Sequence, residues 1–314
     1  MKDKRVLIIG GTGALGKKLI ERHSYNNDIL VYSRDEHKHF SLSKVYPDVS
    51  FKIGDVKDKQ SLIDTIQDYR PDIVINCAAI KHVPICETNP YESININIVG
   101  HNNLIHAVRT SRHRVETLIF ISTDKACRPI NIYGMCKAIS ERLYVDFAQK
   151  TTDTKVCLVR YGNVLESTGS VIPYFKQLLD EGATSLPITD KAMTRFFLTL
   201  DRAVDLIQNA YDSTHSHGAI AVPKVRSFYI ESIARAIMES RSMVPQTHEI
   251  GIRLGEKLHE EMISDIEMIR CLEFDDSYLI TNSIINKNMN SYNSLDSVSP
   301  QGDVQTFLKE SQVL

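Results

Sequence analysis

The sequence predicts an α/β fold, a Rossmann-like doubly wound parallel sheet with a smaller C-terminal substrate-binding lobe. Three observations carry that expectation. The apolar run Val6-Leu7-Ile8-Ile9 opens directly into the glycine-rich turn Gly10-Gly11-Thr12-Gly13-Ala14-Leu15-Gly16, and a helical stretch follows from Lys17 to Arg22. Further short apolar runs alternate with helix-like stretches, the pattern of parallel strands buried on both faces. Beyond about residue 164 the alternation dissolves, which marks a second lobe. The expected division is residues 1–163 for the Rossmann domain and 164–281 for the substrate lobe, with some segments returning to the first. Residues 282–314 are expected to form an extended, Asn- and Ser-rich tail ending in a short amphipathic stretch, Val304 to Lys309.

With 314 residues the chain can bury a large core. A hydrophobic content of 42% and a charged content of 24% suit a soluble globular enzyme. The formal net charge of -2 gives no reason to expect nucleic acid or an anionic membrane surface. Six cysteines, Cys77, Cys86, Cys127, Cys136, Cys157 and Cys271, show no CxxC spacing and no completing histidine cluster, so reduced thiols and no metal are expected. The N-terminus lacks a signal-peptide apolar region, and no apolar run approaches membrane-spanning length. A soluble, cytoplasmic chain is expected.

The first turn satisfies G-x-G-x-x-G at Gly11, Gly13 and Gly16, and G-x-x-G-x-x-G at Gly10, Gly13 and Gly16. Glycines let backbone approach a pyrophosphate whose charge is met by the next helix N-terminus, so Gly10, Thr12, Gly13, Ala14, Leu15 and Gly16 are expected at a dinucleotide. The second strand, Ile29 to Tyr32, ends in Ser33-Arg34-Asp35. An NAD site usually carries an acid at this tip, whereas Ser33 and Arg34 suit a 2′-phosphate and therefore NADP. The competing reading makes Arg34 a solvated loop charge beside Asp35 and Glu36. Phe51 to Val56 and Ile73 to Ala79 read as further strands, with helices at Lys59 to Tyr69 and Glu92 to Arg109. Asp55, followed by Val56, would reach the adenine amine, and the small Ala78 and Ala79 would admit the cofactor. Each could equally be an ordinary strand end. Lys81 and His82 follow a sheet strand on the ligand side. Lys81 is the better candidate for a contact, and His82 alone suits a hydrogen-bonded structural role.

The run Thr117 to Ile121 reads as a buried strand leading into Ser122-Thr123-Asp124-Lys125. Tyr133 and Lys137 stand four apart on a helix and so share a face. A phenol with a solution pKa of about 10 is a poor base at neutral pH. A nearby ammonium stabilises the phenolate, which can then take a proton from a hydroxyl while hydride leaves that carbon for a nicotinamide. Lys137 can also bind the nicotinamide ribose. Later, Val156 to Val164 reads as the sixth strand and its exit. Gly169 to Pro173 and Pro187 to Asp190 look like lobe connections. Arg195 and Arg253 are each read either as a diphosphate clamp or as a surface salt-bridge residue.

Together these runs resemble the extended short-chain dehydrogenase/reductases acting on nucleotide sugars, and within them the inverting UDP-N-acetylglucosamine 4,6-dehydratases. The likeness runs from Gly10–Gly16 through residues 32–35, 54–56, 78–84, 122–137, 160–164 and 193–197 to Arg253–Glu260, nearly the whole chain to about residue 285. Thr123-Asp124-Lys125 discriminates most, because non-inverting dehydratases carry Asp-Glu there and plain 4-epimerases lack the pair. The resemblance implies Tyr133 as base at O4, Asp124 as acid at O6 and Lys125 handling the C5 proton, with Lys137 completing the catalytic set. Lys125 could act as a base only with a lowered pKa. Ser122, Tyr133, Lys137 and Lys81 would touch NADP. UDP-N-acetylglucosamine would meet Lys81, Thr123, Asn163, Ser170, Val171, Arg195, Arg253 and Glu256. A homo-oligomer, dimer to hexamer, is implied. Three departures stand out. Glu166-Ser167-Thr168 occupies the place of a Gly and a basic residue, Leu254 replaces a usual proline, and the membrane-spanning N-terminal half of the family's long members is absent. A UDP-sugar epimerase, a UDP-glucose dehydratase or a non-catalytic dinucleotide-binding protein are the competing readings.

Overall fold

A computed structural model describes residues 1–165, 169–285, 290–300 and 302–314. Strand β1 (Arg5–Ile9) shows why a sheet forms. Its side chains alternate between two apolar cores, with Leu7 and Ile9 on one face and Val6 and Ile8 on the other. A strand whose every side chain is buried can serve only the interior of a sheet covered on both faces. Strands β2 (Asp28–Ser33), β3 (Ser50–Ile53), β4 (Ile73–Asn76), β5 (Thr117–Ile121) and β6 (Lys155–Val159) join it in the order β3-β2-β1-β4-β5-β6, all parallel. The order in which strands are added reverses between β1 and β4, and ligands of open α/β sheets bind outside the carboxyl ends of the strands at that switch point.

The first core is closed by α3 (Lys59–Tyr69), α6 (Gly100–Thr110) and α7 (Ile132–Lys150), through Leu62, Ile66, Leu104, Val108 and Tyr144. The second is closed by α1 (Ala14–His23) and α9 (Leu200–Asp212), through Leu19, Ile20, Val204 and Ile207. Helix α2 (Glu36–Val45) is capped by the Asp35 side chain accepting from the Lys38 amide. The stretch expected as one helix from Glu92 to Arg109 is interrupted. After the short α4 (Val83–Thr88) and α5 (Pro90–Ile94), residues Asn95–Val99 make a π turn before α6.

The second lobe has its own core. Phe175, Ile188, Phe228, Ile237 and Leu308 pack between α8 (Val171–Asp180), α10 (Ile230–Ser240) and α12 (Asp303–Glu310). Its strands are β7 (Asn163–Val164), β9 (Thr194–Leu198) and β11 (Ser227–Tyr229) in one sheet, and β8 (Leu186–Ile188) with β12 (Thr247–Glu249) in another. Strand β10 (Ile220–Pro223) returns to the main sheet beside β6, followed by the antiparallel β15 (Ser277–Ile280) and β14 (Cys271–Glu273). From the tail, β16 (Tyr292–Asn293) pairs with β13 (Glu261–Ile263), and Val304 and Leu308 of α12 are buried. Among the described residues no helix is long and apolar enough to cross a membrane, and all six cysteines are free.

The stretch read as one strand from Val156 to Val164 divides after Val159. Arg160, 1% exposed, turns inward instead of pairing onward. Its guanidinium meets Glu141 of α7 (2.7 Å), Glu267 of α11 (Asp265–Met268) (2.8 Å) and the Met262 carbonyl (2.8 Å). Desolvating three charges costs several kcal/mol per ion, roughly, and is offset only when every donor and acceptor is matched. Here the match is bidentate on both carboxylates. Arg160→Met leaves two buried carboxylates without their cation. The substitution is expected to lower stability by about 3–5 kcal/mol in urea unfolding.

Candidate active site

The glycine turn sits at the carboxyl end of β1. Gly10 has φ +75, and a Cβ there would lie 2.8 Å from Ala78 backbone atoms. A Cβ on Gly16 would lie 2.3 Å from the Gly11 carbonyl oxygen. Those two glycines are required by close backbone approach. Gly13 is exposed, and a Cβ on it would meet only the Gly10 carbonyl oxygen, at 3.6 Å. It N-caps α1 without a side-chain cap, so the helix start at the half-buried Ala14 and Leu15 remains open to an anion. An open glycine face beside an uncapped helix N-terminus fits the pyrophosphate of a dinucleotide.

The buried Thr12 hydroxyl lies 3.1 Å from that of Ser33, which in turn contacts His39 Nε2 at 2.6 Å. Arg34 is exposed and 3.7 Å from Asp55, whose carboxylate also accepts from the Lys57 amide. The two stand side by side at the ends of β2 and β3. Val56 is buried, and a Cβ on Gly100 would strike it at 2.5 Å.

The π turn explains how the loop after β4 is held. Its extra residue turns Asn97 back so that its side-chain amide exchanges hydrogen bonds with the Ile80 backbone, at 2.9 and 2.8 Å. One turn later His101, wholly buried, contacts the Ala78 carbonyl through Nε2 at 3.0 Å and the Ser140 hydroxyl through Nδ1 at 3.0 Å. Burial and the nearby Lys137 ammonium push its pKa down to about 3. Ala78 and Ala79 are half-buried. Lys81 reaches solvent, yet the crowded wall around its stem desolvates the ammonium enough to lower its pKa. The His82 ring packs into the space that a Cβ on Gly169 would fill.

Around Asp124 the chain is tightly constrained. The Ser122 amide donates to the Val159 carbonyl, and its hydroxyl donates to Glu141 at 2.6 Å, so this stretch hangs from the Arg160 network. Thr123 caps the 3-10 turn Asp124–Ala126. Asp124 is wholly buried; its Oδ1 accepts from the Thr123 hydroxyl (3.0 Å) and from Lys125 Nζ (3.1 Å), while Oδ2 has no hydrogen-bond partner among the described residues. Lys125 also approaches Asn163 Oδ1 at 3.5 Å and Glu260 at 3.4 Å. Burial alone would lower the lysine's pKa, but the attraction of Asp124 and Glu260 outweighs it and holds the pKa above the ordinary value. The lowered pKa that a base at this position needs is thus absent: two buried carboxylates keep Lys125 an ammonium.

Helix α7 begins at Asn131, whose side chain accepts from the Gly134 amide at 2.8 Å and donates to the Gly255 carbonyl at 2.7 Å. Tyr133 and Lys137 are buried on that helix. Burial pushes the phenol up to about 12, opposed by the Lys125 charge and a Thr123 hydrogen bond. Lys137 donates to the Ile121 carbonyl at 2.7 Å and lies over the Phe120 ring at 4.5 Å. Desolvation lowers its pKa to about 8.

The residues expected at a substrate divide. Thr123 and Asn163 converge on Lys125. Arg195, read as either a clamp or a surface residue, is buried, and three of its N–H donors serve the Thr194, Leu258 and Lys257 carbonyls. Arg253 is exposed and pairs with Glu256 at 2.8 Å, and Glu256 Oε2 is buried without a hydrogen-bond partner. Ser170 caps α8 by position only, its hydroxyl buried and without a hydrogen-bond partner among the described residues, and Val171 begins that helix half-buried. Glu166, Ser167 and Thr168, where a diphosphate contact was in question, lie outside the described residues. A groove of about 510 Å³ lined by Lys191, Tyr229, Ser232 and Pro300 lies in the second lobe, apart from this cluster. Among the described residues no cluster of three or more His, Cys, Asp or Glu could hold a metal.

Sequence reasoning did not assign Asn131, Glu141, Arg160, Asn97, His101 or Glu260. Asn131 carried a usable signal, an Asn just before a helix. The others act through partners distant in the chain.

A sheet ordered 3-2-1-4-5-6, a glycine turn at its first strand and a Tyr-x-x-x-Lys helix beside the switch point define an extended short-chain dehydrogenase/reductase. The chain belongs to the polysaccharide biosynthesis protein family, which matches residues 6–282. It is 43% identical to the inverting UDP-N-acetylglucosamine 4,6-dehydratase of Campylobacter jejuni, over 90% of this chain and 84% of that one. It is 37% identical to a UDP-glucose 4-epimerase of Rickettsia bellii, over 88% and 83%. Among solved structures, Pen from Bacillus thuringiensis superposes with a TM-score of 0.91 at 29% identity, covering 100% of this chain and 99% of that one. The NAD complex of Thermus thermophilus UDP-glucose 4-epimerase shares the fold, with a TM-score of 0.67 at 22% identity over 80% and 88%.

Gly134 lets α7 press on the catalytic turn, since a Cβ there would sit 2.2 Å from the Lys125 carbonyl oxygen. Gly134→Ala is expected to cost about 1–3 kcal/mol by denaturant unfolding. Gly302→Ala, with open space around it, should stay within about 0.5 kcal/mol of the parent.

Proposed function

We propose that the chain is a UDP-N-acetylglucosamine 4,6-dehydratase that inverts C5. Its product would be UDP-2-acetamido-2,6-dideoxy-β-L-arabino-hex-4-ulose, made for nucleotide-amino-sugar biosynthesis. The observation that carries this reading is the buried Asp124 paired with the half-buried Lys125 beside Tyr133, an acid and an ammonium that a plain C4 oxidoreduction does not require. The Campylobacter relative's name supports the same reading.

A bound NADP would supply the hydride acceptor for C4 and the donor for C6. Gly10, Thr12, Gly13, Ala14, Leu15 and Gly16 would hold its pyrophosphate, Ser33, Arg34, Asp55 and Val56 its adenosine end, and Ala78, Ala79, Lys81, Ser122 and Lys137 the rest. Tyr133 takes the O4 proton, assisted by the Lys125 charge and the Thr123 hydroxyl. Once C4 is a ketone, the C5–H electron pair can delocalise into it, which makes that proton acidic. Asp124 would relay a proton from the Lys125 ammonium, which donates to its Oδ1, to the departing O6 beside its Oδ2, an oxygen with no hydrogen-bond partner among the described residues. Lys125 begins as an ammonium beside the developing enolate, and once it has given a proton to O6 through Asp124 its neutral amine can receive the C5 proton. Lys81, Thr123, Asn163, Ser170, Val171, Arg253 and Glu256 would line the sugar nucleotide, and Arg195 would brace that wall from behind.

We further propose a cytoplasmic homo-oligomer, and a division into the three segments outlined above. A 4-epimerase is the second reading, favoured by the Rickettsia relative. Incubation with UDP-N-acetylglucosamine in deuterated water, followed by NMR, separates the two. Dehydration gives a new C6 methyl and deuterium at C5 with inverted coupling; retained oxygen at C6 with only C4 changed would refute it. The cofactor preference has its own check. Arg34→Ala should weaken NADP binding at least tenfold by calorimetry while leaving NAD affinity nearly constant, and an equal loss for both would remove the case for NADP.

A further inference from the structure

Glu260 belongs to no role assigned above, yet its carboxylate is the most crowded by cations near the catalytic turn. It is 2% exposed. Lys125 Nζ lies 3.4 Å from Oε1, Arg195 Nε 3.9 Å from Oε1, and Lys257 Nζ 4.0 Å from Oε2. Oε2 has no hydrogen-bond partner. The residue is fixed from behind by the tail. Its amide donates to the Ser294 hydroxyl at 2.9 Å, and its carbonyl accepts from the Ser294 amide at 2.8 Å. Ser294 is itself wholly buried, and its hydroxyl contacts that of Thr194 at 2.7 Å.

We propose that Glu260 is a positioning residue for Lys125, fixing both where the ammonium sits and how firmly it keeps its proton. The reason is geometric. Asp124 precedes Lys125 in the same turn and holds it from one side, whereas Glu260 arrives from the distant β13 approach and is its second carboxylate. Arg195 opposes them by like charge, and the Tyr133 phenol faces the same ammonium. Lys257 is drawn off toward the Cys127 carbonyl at 2.7 Å, so it balances Glu260 without displacing Lys125. Removing the Glu260 charge leaves Lys125 with one carboxylate against Arg195, and its pKa must fall.

The inference rests on the proposed C5 chemistry only for its catalytic consequence, and its first test does not use that chemistry. Lysine labelled at Cε is followed by NMR in the unliganded chain, with the Lys125 signal assigned by its loss in Lys125→Arg. In Glu260→Gln the Lys125 midpoint is expected to fall by at least one pH unit, and Glu260→Asp should recover most of that shift. An unmoved midpoint in folded Glu260→Gln, or an aspartate no better than the glutamine, would overturn the proposal. If Glu260→Gln does not fold, Ser294→Ala, which loosens the same segment, should lower the midpoint in the same direction; no change there counts against the proposal. The second test compares deuterium uptake at C5 with cofactor reduction. Uptake should change at least tenfold in Glu260→Gln, with its pH limb moved to lower pH, and cofactor reduction should change far less. Equal losses in both would mean that Glu260 only supports the fold. Failure of the parent chain to reduce cofactor or exchange C5 would instead refute the dehydratase reading, leaving the NMR result to decide the role of Glu260.

Discussion

The site depends first on one buried cation. Arg160 stands where the sixth strand ends and joins β6, α7 and α11 through two carboxylates and a carbonyl. Because Glu141 also accepts from Ser122, the strand end bearing the Asp124–Ala126 turn is tied to the helix bearing Tyr133. An apolar side chain of equal volume could fill the space, but it could not dictate the direction of three backbones at once. Such ion networks are poor sources of net stability. In this chain their evident effect is registry: the acid, the ammonium and the phenol are held at fixed distances by elements far apart in sequence.

Charge ordering follows from that registry. Lys125, half-buried, and Lys137, buried, are two amines within one cluster, yet desolvation wins for one and loses for the other. Lys137 has an aromatic ring and a carbonyl for company, so desolvation lowers its pKa. Lys125 has Asp124 and Glu260, so attraction prevails. Two side chains of one type thereby take opposite tendencies, a division of labour set by neighbours and not by residue identity.

Much of the sheet was legible in the sequence because it is encoded locally. Runs such as Val6–Ile9 and Thr117–Ile121 are apolar on both faces, and that alone demands a covered parallel sheet. The glycine turn was legible because its spacing falls within seven residues and Gly16 answers to the nearby Gly11 backbone, although what crowds Gly10 is the Ala78 backbone far along the chain. Other features were not. The π turn at Asn95–Val99 has no periodic signature, since a single wide turn is too short to set a period of its own. The break of the sixth strand after Val159 follows from an arginine's partners in α7 and α11. Spacing put Tyr133 and Lys137 on one helix, but it could not show that Lys137 turns its ammonium to the Ile121 carbonyl of β5. Arg195 looked solvent-facing from its type alone, and only the carbonyls of residues 257 and 258 reveal why it is buried.

The π turn carries one more implication. An α-helix advances about 100° per residue, so the extra residue sets the phase of everything after it. Upstream, α5 is oriented by its own contacts; downstream, His101 meets the Ala78 carbonyl only because the helix has been wound one residue further. Substitution cannot adjust such a phase, because side chains change what a position presents and not where it points. Only gaining or losing a residue can. The floor beneath Ala78 and Ala79 is therefore set by chain length within this helix, a variable that leaves no mark on composition.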